Sequence, residues 1–142
     1  MGLKRLKLPS TVGRRCSKEV VWGTGVDLIE IQRIQAAAQR NSRFLNRVFT
    51  PEELEYCLAK QNPWPHLAAR FAVKEAVIKV FAGRASLPLR EIGLVKDGPI
   101  PLVRLSGSAA QAAQELGISD FKVSIAHSRE LAIAMVIGIS QG

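Results

Sequence analysis

Histidine and cysteine are scarce in this chain: two of each, His66, His127, Cys16 and Cys57. Two thiols cannot build a disulfide framework, and neither cysteine lies in a metal-type spacing. Two histidines are too few for a conventional zinc site or a serine–histidine triad. Unpaired thiols in a reduced compartment are the natural reading. Aromatics are also few (five Phe, two Trp and one Tyr), which weakens any case for base stacking. No apolar run approaches the roughly 20 residues that cross a bilayer, and the longest, Leu131 to Ile139, has the length of a strand. No continuous apolar stretch follows the basic residues at the N-terminus, so no secretory signal is expected. These absences predict a cytoplasmic protein with no membrane partner. Gly23-Thr24-Gly25 lacks the third glycine of a dinucleotide fingerprint, and no GxxxxGK-S/T phosphate loop occurs.

What is present fits one soluble folded domain. The chain has 142 residues, 47% of them hydrophobic and 23% charged. The formal charge of +8 is unevenly spread. Residues 1–19 carry Lys4, Arg5, Lys7, Arg14, Arg15 and Lys18 against a single acid, Glu19. They are expected to form a mobile basic arm ahead of a domain over 20–142. On charge alone the partner could be nucleic acid, a membrane surface or an acidic protein.

Periodicity predicts a strand from Val20 towards Ile31, with Gly23 and Gly25 allowing close packing of its backbone. A helix from about Glu30 to Val48 should follow, burying Ile34, Ala37, Ala38, Leu45 and Val48. Thr50-Pro51-Glu52-Glu53 reads as a capping box that opens a helix running to about Lys60. The longest helix is expected over His66 to Phe81, with Leu67, Phe71, Ile78 and Phe81 on its apolar face. Two strands, Glu91 to Lys96 and Pro101 to Ser106, should flank a turn at Asp97-Gly98-Pro99. A helix over Ala109 to Leu116, stopped by Gly117, precedes a hairpin of Lys122 to His127 and Leu131 to Ile139. The predicted class is α/β (α+β), a small domain with mostly antiparallel pairing packed with helices.

The chemistry-bearing pattern is a set of acids and a lysine on ordered elements. Asp27 ends a glycine-containing strand among Val26, Leu28 and Ile29, where a carboxylate is costly unless paired or metal-bound. Glu75 lies among small and apolar residues, and Lys79 follows it by four, on the same helix face. Two carboxylates suit Mg²⁺, which keeps waters and completes its shell with phosphate oxygens. The same spacing also suits a surface Glu–Lys pair beside a strand-end acid. Arg33, Arg40, Arg43 and Arg47, at ~100° per residue on one helix, would fall within a stripe about 80° wide.

Three segments together resemble a known family. Trp22-Gly-Thr-Gly-Val-Asp-Leu-Ile-Glu-Ile-Gln-Arg33 is similar to the opening motif of bacterial holo-acyl-carrier-protein synthases. Arg70-Phe-Ala-Val-Lys-Glu-Ala-Val-Ile-Lys79 resembles their central helix, and Val123-Ser-Ile-Ala-His127-Ser with Leu131-Ala-Ile-Ala their closing hairpin. The resemblance runs from about Val20 to the C-terminus. It implies transfer of 4′-phosphopantetheine from coenzyme A to a serine of an acidic acyl carrier protein, in a homotrimer with coenzyme A between neighbours. It further implies Asp27 and Glu75 as Mg²⁺ ligands, and Lys79 at the coenzyme A pyrophosphate. Arg70 and His127 would lie at the nucleotide end, Gly98 and Pro101 on coenzyme A, and Arg33, Arg43 and Arg47 at the carrier protein.

The chain departs from the family's pattern at Phe81-Ala-Gly83-Arg84-Ala85, at Lys96-Asp97-Gly98-Pro99-Ile100-Pro101, and at Ala126 and Ser128 of the hairpin. These changes spare the acids and bear on the coenzyme A loops. Three rival readings remain. Another Mg²⁺-dependent nucleotide transferase or hydrolase would not need the arginines. A basic nucleic-acid-binding module would not need the acids, and would show steep salt dependence. A catalytically idle carrier-protein binder would keep only the arginines. The intact set of acids and lysine favours the transferase, with no nucleic-acid partner.

Overall fold

The computed structural model describes residues 18–97 and 99–142. Most of the expected basic arm, residues 1–17, and Gly98 lie outside the described residues. The first strand, β1, spans Glu19–Glu30. It is followed by α1 (Ile31–Arg40), α2 (Phe44–Val48), α3 (Pro51–Leu58) and the central α4 (Trp64–Val80). A 3₁₀ turn over Leu89–Glu91 leads into β2 (Ile92–Asp97) and β3 (Ile100–Leu105). Then come α5 (Gly107–Leu116), β4 (Asp120–His127) and β5 (Leu131–Gln141). Two antiparallel sheets result, one of order β1-β5-β4 and one hairpin of β2 and β3.

Helix α4 is the axis of the molecule. Ala72, Val73, Ala76, Val77 and Val80 are buried in the main core with Ala134 and Val136 of β5. A second cluster joins Leu67, Ala68 and Ala69 of α4 to Ile31, Ile34, Val48, Phe49 and Cys57. The apolar face differs from the expected one, because Phe71 and Ile78 are only half-buried while the alanines and valines are enclosed. Small side chains let β1 cross α4 closely. A Cβ on Gly25 would overlap the Ala76 carbonyl, and one on Gly23 would stand 2.8 Å from the Val80 oxygen. Among the described residues no helix is long and apolar enough to cross a membrane.

The single helix expected over Glu30 to Val48 is instead two. Asn41 is extended (φ −136°, ψ 109°), and its Oδ1 accepts a hydrogen bond from the Arg43 amide at 2.9 Å. A short amide side chain that satisfies the backbone locally competes with the helix and ends it. The capping box at Thr50 forms as expected: Thr50 Oγ1 accepts from the Glu53 amide at 3.2 Å, and Glu53 Oε1 from the Thr50 amide at 3.0 Å.

Candidate active site

The crossing of β1 over α4 decides which polar groups meet. With Gly23 and Gly25 against Val80 and Ala76, Asp27 comes to the helix turn that bears Glu75 and Lys79. Lys79 Nζ donates to the Val26 carbonyl at 2.7 Å and to Asp27 Oδ1 at 3.3 Å. The Asp27 side chain is 17% exposed and that of Lys79 53%, so the lysine holds the strand while its head stays in reach of solvent. Glu75 is half-buried and accepts no hydrogen bond among the described residues. Burial, and then the Asp27 charge, push its carboxyl above the ordinary range; Lys79 opposes them.

Asp27 and Glu75 share the wall of a cavity of about 460 Å³ between β1, α1 and α4. Leu28, Ile34, Ala37, Phe44 and Phe71 give it apolar sides, and Arg33 and Arg40 are also among its lining residues. The break at Asn41 corrects the expected four-arginine stripe. Arg33 and Arg40 stay on α1, seven residues apart and nearly in line, whereas exposed Arg43 precedes α2 and exposed Arg47 sits in its last turn.

Arg70 and His127 do not join this cavity. Arg70 is five residues from Glu75, about 140° around the helix. It lines a larger cavity of about 840 Å³ between α3, α4 and the β2–β3 hairpin, together with Tyr56, Arg90, Lys96 and Arg104. His127 is exposed at the end of β4. The half-buried His66 titrates below the ordinary histidine range, through burial first and then Arg70, Lys60, His127 and Lys96. Those basic groups therefore converge on one side of the molecule. Half-buried Pro101 pairs with Lys96 at the hairpin. Gly98 is outside the described residues.

One polar arrangement has no counterpart in the sequence reading. Lys74, beside Glu75, is fully buried; its Nζ donates to Glu53 Oε1 at 2.6 Å, to the Leu89 carbonyl at 3.1 Å and to the Ile92 carbonyl. Glu53 Oε2 accepts from the Leu94 amide at 3.3 Å. Burial pulls the Lys74 ammonium below the ordinary lysine range, and Glu53 opposes that.

The fold and this pair of polar faces mark a known class. The family model for the 4′-phosphopantetheinyl transferase superfamily matches residues 23–136, and the chain belongs to that superfamily. It is 50% identical over 117 residues to a holo-acyl-carrier-protein synthase of Dehalococcoides mccartyi, covering 80% of this chain and 95% of that relative. The holo-ACP-synthase of Plasmodium yoelii has the same fold, with a TM-score of 0.79 and 25% identity over 88% of this chain and 99% of that one. So has the holo-acyl-carrier-protein synthase of Helicobacter pylori, solved with coenzyme A: TM-score 0.70, 29% identity, 81% of this chain and 98% of that one.

Proposed function

We propose that this chain is a holo-acyl-carrier-protein synthase. It transfers 4′-phosphopantetheine from coenzyme A to a serine of apo acyl carrier protein and releases adenosine 3′,5′-bisphosphate. The observation that carries this reading is the meeting of Asp27, Glu75 and Lys79 at the β1–α4 crossing, with Asp27 and Glu75 lining one cavity with Arg33 and Arg40. The three sequence motifs and the coenzyme A complex of the Helicobacter pylori relative support it.

Serine Oγ attacks the β-phosphorus of coenzyme A. The new P–O bond forms as the bond to the bridging pyrophosphate oxygen breaks, and the nucleotide leaves with that oxygen. Glu75 takes the serine proton, a role suited to a carboxylate whose proton affinity is already raised. Lys79, loosely held and half-exposed, turns its ammonium towards the phosphate oxygens. Asp27 and Glu75 fit Mg²⁺: two hard oxygen donors crowd one another, and among the described residues only one lysine balances them. The ion supplies charge neutralisation at the phosphates when bound.

Arg33, with Arg40 beside it and Arg43 and Arg47 continuing along exposed surface, forms the docking face for an acidic carrier protein. A homotrimer accounts for two further features. Val26, Leu28, Ile133 and Met135 lie exposed on one face of the sheet, in register as Val26↔Met135 and Leu28↔Ile133. Arg70 and His127 also face away from the acids, so a neighbouring copy completes the coenzyme A cleft. A cytoplasmic setting, in which the two unpaired thiols stay reduced, goes with this reading.

Intact mass of apo acyl carrier protein incubated with the chain, coenzyme A and Mg²⁺ tests the reading. The expected result is a gain of one phosphopantetheine group, abolished by EDTA. No gain with several carrier proteins would overturn it, and binding to generic nucleic acid across a salt series would then favour the basic binding module.

A further inference from the structure

Lys74 and Glu53 form an ion pair with both side chains 1% exposed. A pair buried so deeply is a weak source of stability, because apolar residues of similar volume often serve as well or better. Apolar residues cannot, however, hold polar backbone groups at set distances and angles. This pair holds four such groups, on three segments outside α4. Lys74 Nζ donates to the Leu89 carbonyl at 3.1 Å, in the 3₁₀ turn, and to the Ile92 carbonyl at the start of β2. Glu53 Oε2 accepts from the Leu94 amide at 3.3 Å, two residues further along β2. Glu53 Oε1 accepts from the Thr50 amide at 3.0 Å, where α3 opens.

The segments tied in this way are walls of the cavity of about 840 Å³. Thr50 and Glu53 line it from α3, Pro88 and Glu91 from the 3₁₀ turn and its approach, and Gly93 and Leu94 from β2. The other strand of the hairpin follows β2 through the pairs Gly93↔Arg104 and Leu94↔Val103, and Arg104 lines the same cavity. We infer that Lys74 and Glu53 are positioning residues for coenzyme A, which set the separation of α3 from the β2–β3 hairpin and so the width of this cavity. The inference rests on the coenzyme A reading. Neither residue lines the cavity that Asp27 and Glu75 share, so the pair acts on binding of coenzyme A and not on the chemical step.

Steady-state kinetics of the full chain and of Lys74→Met combined with Glu53→Leu tests this, with Tm measured alongside. An apolar pair recovers stability but leaves the Leu89, Ile92 and Leu94 backbone groups without their anchors. The expected result is a KM for coenzyme A about tenfold higher, the size of one weakened hydrogen bond to the ligand. The kcat and the KM for carrier protein should stay within about twofold of the unmodified chain. An unchanged KM for coenzyme A would make the pair a stabilising element alone and overturn the inference. An equal rise in both KM values would report general loosening and overturn it as well. Should the double variant fold poorly, Glu53→Gln takes its place, since it keeps an acceptor for Thr50 while losing the charge that holds Lys74; an unchanged KM for coenzyme A there is equally fatal. If the unmodified chain loads no carrier protein, the coenzyme A reading itself fails, which is a separate outcome.

Discussion

Lys74 and Glu75 are neighbours on α4 and serve opposite ends. Lys74 turns into the protein and meets Glu53 at 2.6 Å with both side chains 1% exposed. One turn on, Lys79 meets Asp27 at 3.3 Å with the two side chains 53% and 17% exposed. In the first pair both charged groups find further partners in the backbone of Thr50, Leu89, Ile92 and Leu94. In the second, Glu75 stands beside Asp27 without a donor among the described residues, and burial and like charge raise its proton affinity. A saturated pair has no capacity left for a ligand, and a loose one can change partners. On the proposed function, the two ion pairs on one helix divide stability from chemistry.

The sharpest break in that division comes from the loose side. Asp27→Ala is expected to lower kcat for carrier-protein loading by about a thousandfold, while leaving Tm within a few degrees. Gly25→Ala should match it for a different reason: its Cβ overlaps the Ala76 carbonyl, so β1 leaves α4 and both Tm and loading collapse. Lys74→Met leaves Glu53 buried and unpaired, and should cost about 3–5 kcal/mol, read as a fall in Tm of about 10 °C or more. Adding Glu53→Leu to it should recover much of that loss, because an apolar pair carries no orphan charge.

Smaller effects sharpen the comparison. Arg33→Glu should raise KM for carrier protein about tenfold with KM for coenzyme A unchanged, and the defect should shrink at high salt. Glu75 makes the finest test, through the sign of its pH dependence. Its folded-state proton affinity is raised, so its favourable contribution is complete below the unfolded pKa and is lost as pH rises through the folded one. In EDTA at neutral pH, Glu75→Gln should therefore raise Tm slightly, on the order of 1–2 °C after solvent screening, and the gain should vanish near pH 4. A lower Tm at neutral pH would place Glu75 with the structural groups.

The meeting of Asp27, Glu75 and Lys79 is easier to read in the sequence than the buried pair of Lys74 and Glu53. Asp27, Glu75 and Lys79 are legible because a carboxylate in apolar company and an i, i+4 pair are local signals. The strands, α3, α5 and the strand glycines are legible too, through alternation, capping and punctuation. The Glu53–Lys74 pair is hidden because 21 residues separate its members and Glu53 already reads as a cap. The stack of Tyr56 on Arg70 joins two helices across the Pro63-Trp64-Pro65 break, and no pattern announces it. Asn41 followed by Ser42 carries a signal for ending α1, but Ile34, Ala37, Ala38, Leu45 and Val48 keep helical spacing across it. The turn at Leu89–Glu91 has too few residues for any period.

Loading of apo carrier protein, scored by intact mass on variants shown to be folded, tests the division most directly. Lys74→Met combined with Glu53→Leu should still add phosphopantetheine, whereas Asp27→Ala should add it about a thousandfold more slowly under the same conditions. Loading by Asp27→Ala at a rate near that of the unmodified chain, or a folded double variant that cannot load, would contradict the assignment of chemistry to one pair and stability to the other.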